Sequence, residues 1–233
     1  MLNHLTELHT LAVISARRLR FNKDDEVQRV LIALYATIIE QSGSIIIILC
    51  KKKSAGVDVI LRSIFEAYVD LKALLGDPGY IHNMNAAFYH EWLRLFKNES
   101  SSKIIEENDD IRQMLTEYET ELAELKKNGH RPLTNQDRIK RADLPKEWLI
   151  TYNILCSESH NNLRSLMDRH MDMSSGTLEI NLSNPNKDIT LPLFTAAEIL
   201  LSSSLDIHTK FEGGHPECFE PVRAKMLMER EAM

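Results

Sequence analysis

Residues 25–52 constrain the fold of this chain most, because their apolar side chains recur at helical spacing with no turn signal between the two ends. Within them, Ile45 to Ile48 also suit a β-strand by propensity, but nothing separates these isoleucines from the helical pattern that precedes them. Four consecutive side chains point to different sides of a helix, so we expect this helix to be buried on most of its circumference. The polar stretch from Glu40 to Ser44 interrupts the apolar run, and we therefore do not expect it to span a bilayer.

The rest of the chain repeats this helical pattern. Further helices are predicted at residues 2–19, 55–75, 80–97, 103–127, 148–170 and 196–211. The 233 residues include only 8 glycines and 7 prolines, which favours long helices over a β-sandwich with many tight turns. Residues 177–182 and 189–194 are apolar or alternating segments separated by turn-forming residues, which indicates a β-hairpin.

These patterns predict a mainly all-α fold, a helical bundle of five to seven helices with a small β-hairpin before the last core helix. We expect residues 1–212 to form a single helical-bundle domain, with the hairpin at 177–194. Residues 213–233 are rich in charge and methionine and are predicted to be a C-terminal tail, either loosely held or a short helix.

Charge and cysteine content limit the possible partners and compartment. The formal net charge of -6 gives no general attraction to nucleic acid. The one local basic group, Arg138, Lys140 and Arg141, falls in residues 128–143, which we expect to be a mobile polar loop. Three cysteines far apart in sequence, without a CxxC pair or a signal peptide at the start, predict reduced thiols and a cytoplasmic location with no membrane association.

Residues 148–170 are predicted to be one helix that carries His160 close to its own apolar stripe. Ser157 and Arg164 lie about one turn before and after this histidine, so the three residues share a flank. One interpretation is a polar cluster at the edge of a buried face, with a histidine able to titrate or to bind a ligand. The other is a core histidine whose ring is satisfied by a facing helix.

A second polar pair lies on the helix at residues 55–75. Arg62 and Glu66 are one turn apart and able to form an ion pair. That pair is either an ordinary surface bridge or a pair whose members reach a neighbouring helix, for instance Glu66 to His160.

Sequence motifs give no support for a metal or cofactor. The chain has no glycine-rich phosphate loop, no HExxH and no pair of Glu-x-x-His segments in register, so we expect no metal and no cofactor. Cys156 and His160 are at a spacing that would allow a dyad, although nothing else in the sequence supports one.

The segment RSLMDRH, from Arg164 to His170, resembles the R-x(4–6)-H motif of HEPN ribonucleases. That resemblance implies a metal-independent endoribonuclease in which the arginine stabilises the phosphorane and the histidine transfers protons. Six residues turn a regular helix by about 240°, so these two side chains would share a pocket only where the helix ends or distorts.

A broader resemblance covers most of the chain. LRSIFEAYVDLKALLGDP, at residues 61–78, and SESHNNLRSLMDRH, at 157–170, resemble an uncharacterised bacterial family of all-helical proteins with an R-S-x-x-E-A helix and an S-x-x-H helix. The layout is similar to HEPN-like bundles of phage-defence and stress operons. The resemblance implies an α-bundle and marks Arg62, Glu66, Ser157 and His160 as the polar positions to follow.

Two functions follow from these observations. The first is a non-catalytic, HEPN-like interaction or ligand-sensing module linked to phage defence or stress, with a homo-oligomeric or operon-encoded protein partner. The alternative is an endoribonuclease that uses His160 or His170 with Arg164, for which RNA is the partner. In either case we expect the helix at 55–75 to pack against the helix at 148–170 and to bring Arg62 and Glu66 near His160 and Arg164.

Overall fold

The computed structural model describes residues 1–96, 108–159, 163–172, 179–180, 182 and 188–231. Its α-helices are α1 (Leu2–Ala16), α2 (Glu26–Cys50), α3 (Val57–Gly76), α4 (Tyr80–Phe96), α5 (Asp109–Lys127), α6 (Asn135–Arg141), α7 (Glu147–Ser159), α8 (Leu163–His170), α9 (Thr190–Lys210) and α10 (Glu220–Glu231). Two short strands, β1 (Met171–Asp172) and β2 (Glu179–Ile180), and a 3-10 helix, Pro216–Phe219, complete the described elements. The predicted all-α class is therefore confirmed.

Helix α2 forms the centre of the bundle with α1, α3 and α9 around it. It begins where the Asp25 carboxylate accepts the backbone N–H of Gln28, as the polar residues before the apolar run predicted. Ile45 is fully buried, whereas 65% of Ile47 is exposed. The predicted long helix is confirmed, but its last turns are buried on one side only.

Hydropathy alone would allow two of the described helices, α2 and α9, to cross a membrane. This is weak evidence, because core helices of water-soluble proteins meet the same criterion. In the bundle 33% of the apolar window of α2 and 56% of that of α9 are buried. The expected absence of membrane association stays a prediction.

A buried histidine of α9 ties three elements together. The ring Nδ1 of His208 accepts the backbone N–H of His215 at 3.2 Å, so the proton of the neutral ring lies on Nε2. Nε2 lies 3.1 Å from the Ser15 hydroxyl of α1, which itself donates to the carbonyl of Leu11 at 2.7 Å. Only 2% of His208 is exposed, and both ring nitrogens are satisfied in the neutral state.

The C-terminal segment contains a short helix, one of the two predicted alternatives, but it is part of the core and not a tail outside the domain. Gly213 has a φ of 75°, in the left-handed region that favours glycine, and it lets the chain turn back onto the bundle after α9. Phe219 and Val222 are fully buried and Met226 is 5% exposed, so the 3-10 helix and α10 pack on the core. The apolar spacing of these three residues, masked in the sequence by many charges, explains the wrong prediction.

A β-hairpin does precede the last long core helix, but the predicted strand at 189–194 is wrong. β1 pairs antiparallel with β2, with Met171 opposite Ile180. Residues 190–194 instead form the first turn of α9, whose Thr190 N–H is accepted by the Asp188 carboxylate at 2.8 Å. Pro192 suits that turn because the first backbone N–H groups of a helix have no partner within it.

Helices α4 and α5 form a hairpin with a small apolar core of their own. Ala86, Leu93 and Leu122 are its buried members, and the rings of Tyr89 and Tyr118 lie 5.0 Å apart beside them. α5 buries only Leu122, as its narrow apolar seam predicted. This α4–α5 hairpin is the outer part of the described fold.

The described residues contain ten α-helices rather than the expected five to seven. Part of the difference comes from residues 148–170, which were predicted to be one helix. The Ser165 hydroxyl donates to the carbonyl of Ser157 at 3.2 Å. Residues eight apart would be separated by about 12 Å along a straight helix. The single-helix prediction is therefore wrong, and α7 and α8 lie against each other.

Candidate functional site: a polar cleft between helices

One stripe of α3 carries Arg62, Glu66 and Asp70 at successive turns, while most of the remaining circumference, including Ile64 and Phe65, is buried in the core. Arg62 Nε donates to Glu66 Oε1 at 3.0 Å, so the predicted pairing of these two residues is confirmed. Burial acts to lower the pKa of Arg62, but its hydrogen bond to the Glu66 carboxylate raises that pKa overall. The guanidinium therefore stays charged.

Helix α7 packs on this part of α3, as expected. The ring of Phe65 stacks on Trp148 with centroids 5.4 Å apart. Beside it the Tyr152 hydroxyl donates to Glu66 Oε1 at 3.2 Å, and the Arg62 guanidinium lies 5.7 Å from the Tyr152 ring centroid. Burial, followed by the hydrogen bond to Cys156, raises the pKa of Tyr152 to about 12, so its hydroxyl remains a donor at neutral pH.

Glu66 reaches the facing helix, as one of the two interpretations of the Arg62 and Glu66 pair expected. The hydroxyl that reaches this carboxylate belongs to Tyr152, which lies two turns before position 160. His160 itself lies outside the described residues, and the side chain of Arg164 does too. Their expected approach to Arg62 and Glu66 stays a prediction.

Arg138 of α6 forms the second half of the polar arrangement. It binds Asp70 in bidentate fashion, with Nε at 3.0 Å from Oδ1 and Nη2 at 2.8 Å from Oδ2. The Tyr80 hydroxyl donates to the same Oδ1 at 2.6 Å. Burial acts to lower the pKa of Arg138, but the Asp70 carboxylate raises it overall. Burial and Asp70 together raise the pKa of Tyr80, so the tyrosine stays protonated and the arginine charged.

Asn135 joins the two halves into one continuous network. Its amide Nδ2 donates to the Tyr152 hydroxyl at 2.8 Å, and its Oδ1 accepts Arg138 Nη1 at 3.0 Å. The hydroxyl of Thr134 accepts the Asp137 N–H and fixes the start of α6, the helix that carries Asn135 and Arg138. We call this seven-residue set the polar network. Its members are Arg62, Glu66, Asp70, Tyr80, Asn135, Arg138 and Tyr152.

The basic group at residues 138–141 was assigned to a mobile loop, and this prediction is wrong. Residues 135–141 form the helix α6, and the side chain of Ile139 is buried in the hydrophobic core. Arg138 forms an ion pair with Asp70 of α3, whereas Arg141 pairs with the half-exposed Asp77 at 2.7 Å. A seven-residue helix shows too little apolar periodicity to be recognised from sequence.

The polar network forms one wall of a cleft with a volume of about 600 Å³. The second wall comes from α4, on which Met84, Ala87 and Phe88 form an apolar patch. Asn83, His90 and Glu91 of the same helix also line the cleft. Phe88 is 47% exposed. A concave space with one apolar wall and several converging polar groups has the composition typical of small-molecule sites.

Ser157 belongs to a separate cluster between α7 and α8. Its carbonyl accepts the Ser165 hydroxyl, and that hydroxyl also lies 3.2 Å from Glu158 Oε1. Arg169 donates to the Glu158 carbonyl at 2.9 Å. Ser157 is thus connected to α8.

The residues of the expected Arg/His pair lie on one helix. Positions 164 and 170 are both within α8, which is regular between them, so the helix turns by about 240° from one to the other. This is the spacing at which two side chains of a single chain do not share a pocket. Among the described residues no group of three or more histidine, cysteine or acidic side chains is placed to hold a metal ion.

Five members of the polar network were missed as site residues. Asp70 had a usable signal, since it continues the Arg62 and Glu66 stripe by one more turn. Tyr80, Asn135, Arg138 and Tyr152 had none, because each comes from an element whose position relative to α3 depends on tertiary packing.

The fold and cleft define an all-helical protein with a polar ligand-sized cleft beside its core. The model of a family of unknown function, DUF5677, matches residues 28–178, and the chain belongs to that family. The match includes all seven residues of the polar network. No curated protein and no solved structure matches the chain.

Proposed function

We propose that this protein is a non-catalytic, HEPN-like ligand-sensing module whose cleft binds a small polar organic molecule. The observation that carries the proposal is the polar network, in which residues of the four helices α3, α4, α6 and α7 converge on one open cleft. A purely structural network would be closed off by packing. Here the Arg62 and Glu66 side chains remain 26% and 35% exposed and face a cleft large enough for a metabolite.

The two walls of the cleft belong to different parts of the fold, which suggests how binding would be sensed. One wall is on the core helices α3, α6 and α7, with Tyr80 from the first turn of α4. The other wall is on the later turns of α4, which share a small core with α5. A ligand that contacts both walls favours one orientation of the hairpin over others. The exposed side chains of Trp92 and Leu95 on the hairpin would present that change to a protein partner.

The wider setting is part of the same proposal. A cytoplasmic protein linked to phage defence or stress, acting as a homo-oligomer or with an operon-encoded partner, agrees with a sensing module that reports by contact. The all-helical bundle and the R-S-x-x-E-A helix, which supplies Arg62 and Glu66 to the cleft, support the HEPN-like assignment.

The proposal is tested by a thermal-shift screen of a library of cellular metabolites. We expect at least one compound to raise the melting temperature of the wild-type protein. Ala87→Trp should abolish that rise, because an indole at this half-exposed position of the apolar wall fills the cleft. Ala123→Trp, at an exposed position of α5 away from the cleft, is the matched control and should retain it.

Failure would be visible in either of two results. A library without any stabilising compound would contradict the proposal. So would stabilisation that persists in Ala87→Trp, because the ligand would then bind elsewhere.

A further inference from the structure

The cleft has a chemical bias that follows from which of its charged groups are already paired. All three guanidinium nitrogens of Arg138 are engaged, two with Asp70 and one with Asn135. Arg62 donates Nε to Glu66 and lies over the Tyr152 ring. Both cations of the cleft thus have protein partners, and an anionic ligand would have to break one of these contacts to bind Arg138.

The carboxylate of Glu66, in contrast, can still accept hydrogen bonds from a ligand. The carboxylate of Glu66 accepts two hydrogen bonds, from Arg62 and Tyr152, and both are on Oε1. Its second oxygen, Oε2, accepts no hydrogen bond from any described residue, and 35% of the side chain is exposed. A carboxylate has room for several donors, so Oε2 is available to a ligand.

The charges of the cleft are balanced pair by pair. Arg62 pairs with Glu66 and Arg138 with Asp70. Glu91, which also lines the cleft, pairs with Arg94 at 3.1 Å. Selectivity for a cation therefore comes from the unbonded oxygen of Glu66 and not from a net charge.

The apolar wall adds a second requirement on the ligand. Phe88 lines the cleft beside Met84 and Ala87, and 47% of this residue is exposed. Aromatic faces attract organic cations and also pack against apolar groups. A ligand that satisfies both walls carries a charged nitrogen at one end and an apolar or aromatic group at the other.

We infer that the cleft recognises a small organic amine, whose ammonium group is held by Glu66 and whose apolar part packs on Phe88 and Met84. This inference rests on the proposed function and specifies its ligand class. The amine is bound as the cation and no covalent step is involved.

Three probes of the same size test the inference. Benzylamine, cationic at neutral pH, is compared with neutral benzyl alcohol and anionic benzoate by isothermal titration calorimetry at low ionic strength. We expect benzylamine to bind at least about ten-fold more tightly than benzyl alcohol, which is the usual effect of one charge-assisted hydrogen bond. Benzoate should not bind.

Variants locate the interaction. Glu66→Gln is similar in shape and retains an oxygen for Arg62 Nε, so it should remain folded by circular dichroism and lose about ten-fold in benzylamine affinity. Glu124→Gln removes one carboxylate from an exposed position of α5 and should leave the affinity unchanged. Ala87→Trp should abolish benzylamine binding.

The outcomes separate this inference from the proposed function. Equal or tighter binding of benzyl alcohol or benzoate, when Ala87→Trp abolishes it, would overturn the amine preference and leave the cleft as a ligand site. The amine preference would also be overturned, with the cleft still a ligand site, if none of the three probes binds but Ala87→Trp abolishes the binding of a metabolite from the library. Benzylamine binding that Ala87→Trp does not reduce would overturn the inference, because the site would then lie outside the cleft.

Discussion

Replacing Arg138 with alanine is expected to lower the free energy of unfolding by about 2–4 kcal/mol, because it leaves the carboxylate of Asp70 without its cation. The Arg138 and Asp70 side chains are only 22% and 17% exposed, so water replaces little of the lost interaction. The effect is smaller than for a fully buried pair, because the Tyr80 hydroxyl still donates to Asp70. Urea denaturation followed by circular dichroism at neutral pH measures the change.

Arg141→Ala is the matched control for this prediction. It removes the same side chain from the same helix, but Arg141 and its partner Asp77 are 45% and 41% exposed. An exposed ion pair contributes less than about 1 kcal/mol, so this variant should be close to wild type. Equal losses in the two variants would show that the bidentate contact with Asp70 does not hold α6 against α3.

The second large effect is a loss of stability in mild acid that originates at His208. Burial, followed by the charge of His215, lowers the pKa of His208 to about 4, although Glu217 acts in the opposite direction. In the unfolded chain the pKa of a histidine is about 6.5. The unfolded state therefore binds the proton more readily, and stability falls as the pH decreases from about 6.5 towards 4.

The expected loss across this window is up to about 3 kcal/mol, since one pKa unit corresponds to about 1.4 kcal/mol. Urea denaturation at a series of pH values measures it. His208→Gln removes the titrating group, so the dependence on pH should become shallower even though the variant is less stable at neutral pH. His90→Gln, at an exposed position, should retain the full dependence.

The pH dependence of stability must be compared between variants, because His9 also contributes to the wild-type curve. Burial lowers the pKa of His9 as well, so this residue contributes in the same direction. A pH dependence in His208→Gln identical to that of the wild type would show that His208 is not the source.

Much of the core could be predicted from apolar periodicity. The bounds of α2, α3 and α4 follow from caps and turns close to each end, such as Asp25 and Gly79. The sequence did not predict that short helices pack against the core. Phe219 and Val222 are buried within a highly charged segment, and Ile139 anchors a helix of only two turns.

The site was predicted only where the network is local in sequence. Arg62 and Glu66 are one turn apart on one helix, and their pairing requires no tertiary information. The contact between Asp70 and Arg138 joins residues 68 positions apart, and periodicity has no bearing on such a pair. The sequence also drew attention to His160 because histidines titrate near neutral pH, whereas the network that forms the cleft is built from an amide, two tyrosines and paired charges.

The most direct test of the cleft as a ligand site is ¹³C-methyl methionine NMR during titration with the library compound that gives the largest thermal shift. Met84 lies in the apolar wall of the cleft, Met114 lies on α5, and Met228 is 70% exposed on α10. Met84→Leu assigns the resonance of the cleft methyl group. Binding in the cleft predicts a saturable shift of the Met84 resonance, with the Met228 resonance unchanged and any shift of the Met114 resonance reporting a change in the α4–α5 hairpin. A Met84 resonance that stays in place while the compound stabilises the protein would contradict the account.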